Sequence, residues 1–313
     1  MHTIQRMVLA AICSVLCSLA AAETQSHGAS LANRGRDFVA TVQGQWREKS
    51  HRDLRILAQD EFSRLGLHEA LVTGQASTTD AATQRAFFEA LHLLAFTTQA
   101  AEHALALRAF ADSRQVAPTL TVTELRQVYG VLIAARQFAA AQAWQKRMDE
   151  AAREFLPIII DRLGPGASPS VWVVGKTPDT LERQVARELA GAQVIMIAGL
   201  GCPFSQAALR GIAADPLLAA RLAPLTQWLV LPESRLGFRD LRAWNEAHPT
   251  MELMLIHNLE DWALVERPAT PQFFFLRDGK VVARIAGWPK EGRSEAMHDA
   301  LDALEHERTG VTR

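Results

Sequence analysis

One cysteine stands in a setting that suits a nucleophile. In Gly199-Leu200-Gly201-Cys202-Pro203-Phe204-Ser205 it follows a glycine-rich bend and precedes a proline fit for the first turn of a helix. A thiol attacks as thiolate, and a helix N-terminus stabilises negative charge through N–H groups that lack intrahelical partners. Pro203 brings no N–H, so those of Phe204 and Ser205 are left to face the sulfur. Ser205, three residues on, adds a hydroxyl donor. Gly199 and Gly201 let the backbone bend and keep the approach uncluttered. The bland alternative is an inert, half-buried cysteine left by a lineage that lost its redox role.

The chemistry available to such a site is narrow. Thiolate attack on a disulfide gives a mixed disulfide, which a two-cysteine motif resolves internally. Ser205 cannot do so. The adduct must wait for an outside thiol or for a second thiol on the client. The first route suits a reductase that depends on an external thiol, the second an isomerase. Net oxidation is excluded, because one cysteine cannot store a disulfide to donate.

The surrounding elements change character along the chain. From about Ser30 to Leu163 it reads as helix. Asp80 is placed to start a helix whose apolar face carries Phe87, Leu91 and Leu94. Thr121 with Glu124 fits a capping box ahead of Leu125, Val128 and Leu132. Breaks fall near Gly74–Thr79 and at Pro118. The pair Leu125–Met148 is similar to a tetratricopeptide unit, with Phe138, Ala141 and Trp144 on its second helix, but no second copy follows at that period. Gly164 to Ser170 then reads as a linker. Beyond it strands and helices alternate: Val171–Val174, a helix from Pro178 to about Leu189 capped by Thr177, the buried strand Gln193–Ala198, the motif helix, and Trp228–Leu231. Further on come a helix over Phe238–His248, a strand over Met251–Ile256, and a hairpin turning at Asp278-Gly279. A last amphipathic helix covers about Ser294–Glu307. This order calls for a mixed sheet with helices on both faces.

Three places together make the stretch from Ser170 to Glu307 resemble the thioredoxin superfamily. They are the strand Val194–Ala198 leading into Cys202-Pro203-Phe204-Ser205, the Ala269-Thr270-Pro271 loop before Gln272-Phe273-Phe274-Phe275, and the hairpin with Asp278-Gly279-Lys280. The resemblance implies that Pro271 is cis and faces the cysteine, and that the Thr270 backbone pairs with a client. Two departures stand out besides Ser205. Met196 occupies the position where many thioredoxins bury an acid that assists proton transfer, and Arg235–Ile256 adds an insertion more like larger periplasmic members. A peroxiredoxin is disfavoured, since its pattern needs Thr and Pro where Gly199 and Ile195 stand.

Arg6, the apolar run Met7–Leu19 and Ala20-Ala21-Ala22 form a secretory leader, so residues 1–22 are expected to be removed and the protein to be periplasmic or secreted. Cys13 and Cys17 leave with it, and Cys202 then stays as a free thiol or one with an intermolecular partner. The apolar run is shorter than a span requires, so no stable membrane insertion is expected. A net charge of −1 gives no basic footprint for nucleic acid. The ten histidines show no ligand spacing, and neither a metal nor a cofactor is called for. The expected layout is a leader (1–22), a helical-hairpin domain (23–163), a linker (164–170) and an α/β thioredoxin-like domain (171–313). The expected function is monothiol exchange with a protein client bearing a cysteine or disulfide. Cys202, Pro203 and Ser205 form the reactive motif, Thr270 and Pro271 the client-binding loop, and an external thiol is the reductant. The alternative is a redox-inactive client-binding or adaptor module of the cell envelope. A structural role in an envelope complex, led by the helices, is the third reading.

Overall fold

The computed structural model describes residues 31–114, 120–164, 166–267 and 269–306. The expected leader, with Cys13 and Cys17, and the break at Pro118 lie outside them. The chain divides into two compact units, one running to Leu132 and one from Ile133, with the division in the last turn of the helix Val122–Ala134.

The first unit is helical. Its helices are α1 (residues 31–44), α2 (His51–Arg64), α3 (Leu67–Val72), α4 (Ala81–Thr98), α5 (Ala101–Ser113) and α6 (Val122–Ala134). Asp80 caps α4 by accepting the N–H groups of Ala82 and Thr83. Phe87, Leu91 and Leu94 of α4 are buried, and Phe87 meets Phe110 of α5 with ring centroids 4.9 Å apart. At α6, the Glu124 N–H donates to Thr121 Oγ1 while the Thr121 N–H donates to Glu124 Oε2, a reciprocal capping box. The same carboxylate receives Arg114 at 2.6 Å in a buried ion pair.

The second unit holds one eight-stranded sheet, in the order β1-β3-β2-β6-β5-β4-β7-β8. Its strands are β1 (Ile158–Ile160), β2 (Ser170–Val174), β3 (Thr180–Val185), β4 (Ala192–Ala198), β5 (Thr226–Val230), β6 (Leu253–Ile256), β7 (Gln272–Arg277) and β8 (Lys280–Ala286). Its helices are α7 (Phe138–Gln145), α8 (Pro203–Ala213), α9 (Pro216–Leu222), α10 (Phe238–Ala247) and α11 (Ser294–His306). β4, β5 and β6 run parallel, while β7 is antiparallel to β4. One sheet face carries Ile195, Ile197, Leu229 and Phe274 under Leu259, Trp262 and Val265. On the opposite face Met196 registers beside Trp228 and Phe273, and Trp288 packs on Phe273. The β7–β8 turn places Asp278 and Gly279 both at positive φ (47° and 76°), the geometry that a two-residue hairpin needs.

Three expectations are corrected here. The helix read from Pro178 to Leu189 is instead β3, paired antiparallel with β2 and parallel with β1. Thr177 and Pro178 lie in the hairpin turn, and strand partners on both sides override local helix preference. Helix also ends well before Leu163, because three consecutive β-branched residues after Pro157 form β1. The repeat-like pair forms as α6 and α7, but α7 belongs to the second unit. There Phe138 meets Trp172 of β2 edge-on, with ring centroids 5.1 Å apart. Gly164–Ser170, apart from Pro165, which lies outside the described residues, leads from β1 into β2 inside that unit.

Candidate functional site

The apolar run of β4 buries every residue from Gln193 to Ala198, and the chain leaves the sheet through Gly199-Leu200-Gly201. Cys202 is the N-cap residue of α8 and Pro203 is in its first turn, so the sulfur sits at the end where N–H groups are free. From the other side comes the loop before β7. The Thr270–Pro271 bond is cis, and the Cys202 thiol donates to the Thr270 carbonyl oxygen at 3.5 Å. Cys202 is half-buried, with Pro203 and Phe204 exposed beside it.

Burial acts to raise the Cys202 pKa, but four contacts outweigh it. The Thr270 side chain, the N–H and hydroxyl of Ser205, and the N–H of Phe204 hold the thiol below its ordinary value. Ser205 itself is fully buried, and its oxygen accepts the Gly199 N–H at 3.1 Å. That hydroxyl therefore ties the two ends of the motif loop together as well as acting on the sulfur.

Cys202, Ser205, Thr270 and Pro271 are thus gathered in one place, with Pro203 starting the helix. Of the charges flanking the Thr270 loop, Asp261 is half-buried, while Glu266 and Arg267 are exposed. Trp172, Trp228, Trp262 and Trp288 are buried packing groups. His257 accepts from the Trp172 indole N–H at 3.0 Å, and burial pushes its pKa down to about 4, so it is neutral at physiological pH. A cleft of about 430 Å³ opens beside the motif loop, lined by Gly199, Leu200, Gln206, Leu209, Trp244 and His248 among others. Among the described residues, no cluster of three or more His, Cys, Asp or Glu side chains is placed to hold a metal ion. Nor is any described helix long and apolar enough to cross a membrane.

Sequence reasoning missed Glu233. A Cβ added to Gly199 would lie 2.6 Å from Glu233 Oε1, 3.2 Å from Cys202 Cβ and 3.2 Å from Thr270 Oγ1. Glu233 Oε2 also accepts the Gly201 N–H at 3.4 Å. Burial raises the Glu233 pKa against the opposing pull of the Gly201 and Leu200 N–H groups and of Arg136. Arg136 is buried, bonds the Ile256 carbonyl through Nε and Nη2, and has its own pKa pushed down to about 9 by burial. A signal for Glu233 existed in the sequence. It follows the strand Trp228–Leu231, and the C-terminal ends of parallel strands open on the same side as the loop that leaves β4. Nothing in the sequence marks Arg136.

Compared with protein-family models, with curated proteins and with solved structures, the chain matches none of them.

Proposed function

We propose that the second unit is a thioredoxin-like domain and that Cys202 performs monothiol thiol–disulfide exchange on a protein client bearing a cysteine or disulfide. The observation that carries this reading is the Cys202 sulfur at the start of α8, set against Thr270 with its pKa drawn down. The thiolate attacks one sulfur of a client disulfide, the second client sulfur leaves, and a mixed disulfide remains. Ser205 cannot expel the client, so an external thiol or the client's own second thiol completes the turnover. The Thr270 loop is the client-pairing edge, and the cleft beside Leu200 and Trp244 suits an apolar client side chain. The amino-terminal leader makes the periplasm or the exterior the site of action.

The test is alkylation by iodoacetamide across pH, followed by trapping of mixed disulfides in an envelope extract. Native Cys202 is expected to label with a midpoint below that of the unfolded chain, and Cys202→Ala to remove the trapped adducts. An unlabelled or ordinary thiol would sink the enzyme reading.

A second reading, a docking module without redox chemistry, draws support from Phe204, 58% exposed next to the cysteine. It calls for client retention to survive Cys202→Ala.

A further inference from the structure

Thiol–disulfide exchange moves a proton as well as sulfur. The attacking thiol must lose one, and the departing thiolate gains one. Met196, on β4 and fully buried, cannot take part. A carboxylate that accepts from the motif loop comes instead from the segment after β5, at Glu233. At Gly199, where the backbone lacks a Cβ, three groups converge: the Glu233 carboxylate, the Thr270 hydroxyl and the Cys202 side chain. The Thr270 side chain also bonds the sulfur. The Cys202 side chain, Thr270 Oγ1 and Glu233 Oε1 therefore border one space, the one that Gly199 leaves open.

We propose that Glu233 is the proton-holding residue of the Cys202 site, exchanging its proton with the sulfur by way of the Thr270 hydroxyl. This rests on the monothiol reading above. The Cys202 thiol gives its proton to the Glu233 carboxylate, and the thiolate forms a new S–S bond with one client sulfur. The client S–S bond breaks, and the leaving sulfur takes the proton back from the Glu233 carboxyl. No oxidant or reductant enters this step, since one disulfide and one thiol become another disulfide and another thiol. Besides burial, the Gly201 and Leu200 N–H groups and then Arg136 act on the Glu233 carboxyl, with Cys202 facing it on the loop side. Burial raises the pKa of the carboxyl, and the two N–H groups and Arg136 pull it back. Glu233 acts through Thr270, so it is a positioning residue for the proton.

The experiment compares the full-length protein with Glu233→Gln and Glu233→Asp, using two probes across pH 4 to 10. Oxidised glutathione reports exchange, where a leaving sulfur needs a proton. Iodoacetamide reports thiolate alone, because iodide leaves without one. In Glu233→Gln, exchange at neutral pH is expected to slow by roughly ten- to a hundredfold, at or below the low end of general acid–base contributions. Alkylation moves the opposite way, its midpoint falling because a neighbouring anion is gone. Glu233→Asp restores the acid-side inflection of the exchange profile. A loop merely loosened by the substitution would move both probes in the same direction, and that result overturns the proposal. So does equal exchange by wild type and Glu233→Gln, which leaves the monothiol reading intact. If wild-type Cys202 reacts with neither probe, the proposal falls together with the reading beneath it.

Discussion

The contacts of the Cys202 sulfur carry opposite signs, and the balance between them is measurable. Burial favours the thiol, while Thr270, Ser205 and Phe204 favour the thiolate, and the second group prevails. Ser205→Ala removes one of those donors and strips the Gly199 N–H of its acceptor. The alkylation midpoint of Cys202 is therefore expected to rise, with a loss of about 1–3 kcal/mol from the buried N–H left unpaired; alkylation against pH and urea unfolding check the two parts. Linkage sets the direction of the pH effect on stability. A thiol whose folded pKa lies below its unfolded value stabilises the fold above the unfolded pKa, and that share disappears as pH falls through the folded pKa. The difference in unfolding free energy between wild type and Cys202→Ala should therefore grow on the alkaline side and flatten toward neutrality. Gly199→Ala is a harsher test of the same spot. A Cβ there meets Glu233 Oε1 at 2.6 Å, and overpacking of this kind costs about 1–3 kcal/mol. Urea denaturation should register that loss together with slower Cys202 labelling. At this scale the sequence was informative wherever a residue acts through its own neighbours in the chain. Cys202, Pro203 and Ser205 form one helix start. Glu233 comes to the loop from beyond the end of β5, and Arg136 acts on it from the turn before α7, so only the order of the parallel strands points to Glu233 and nothing local points to Arg136.

Helix ends and turns were legible because their chemistry is short-range. Asp80 and the Thr121–Glu124 box satisfy backbone groups two or three residues away, and the Asp278-Gly279 turn needs only its own two positive φ angles. The turn Thr177-Pro178 was misread, since a proline suits a helix start and a hairpin corner equally, and only pairing with β1 and β2 decides between them. α6 offers a graded test of what its capping box is worth. Thr121→Ala is expected to cost about 1 kcal/mol, the usual value of a lost cap. Glu124→Ala removes the box and also leaves Arg114, 6% exposed, without that carboxylate, so it should cost roughly 3–5 kcal/mol. Thermal or urea unfolding ranks the two, and equal losses would mean that the ion pair contributes nothing. α4 carries a pH-sensitive group of its own. His92 lies between Phe88 and Phe96, and burial pushes its pKa down to about 4. A lowered histidine pKa costs stability as pH falls from the unfolded value toward 4, because only the unfolded chain binds the proton there. His92→Leu should flatten the acid limb of the stability profile over that window, as equilibrium unfolding at successive pH values would report.

At the scale of the molecule, Gly164–Ser170 looked like a seam because glycine and proline crowd it. Long-range bonds, which composition cannot display, cross it. Within the second unit β1 pairs with β3, Arg136 holds the Ile256 carbonyl, and Glu154 accepts the N–H groups of Leu236 and Gly237. A protease that cuts in this segment is therefore expected to leave the pieces of the second unit together on gel filtration under native conditions, separating only in denaturant. Dissociation on cutting alone would show those bonds to be dispensable. The same reach across the sequence bears on how the protein is made. Cys202 leaves the ribosome 68 residues ahead of the Thr270 carbonyl to which it donates, and β4 precedes its antiparallel partner β7 by a comparable stretch. Until that later segment arrives, the nascent thiol has no wall against it, and pairing over such separations is slow to form. If residues 1–22 are removed as a leader, no other cysteine of this sequence is left to trap Cys202 in a wrong internal bridge. Oxidative misfolding is then open only between molecules, so its extent should scale with how crowded the newly made chains are.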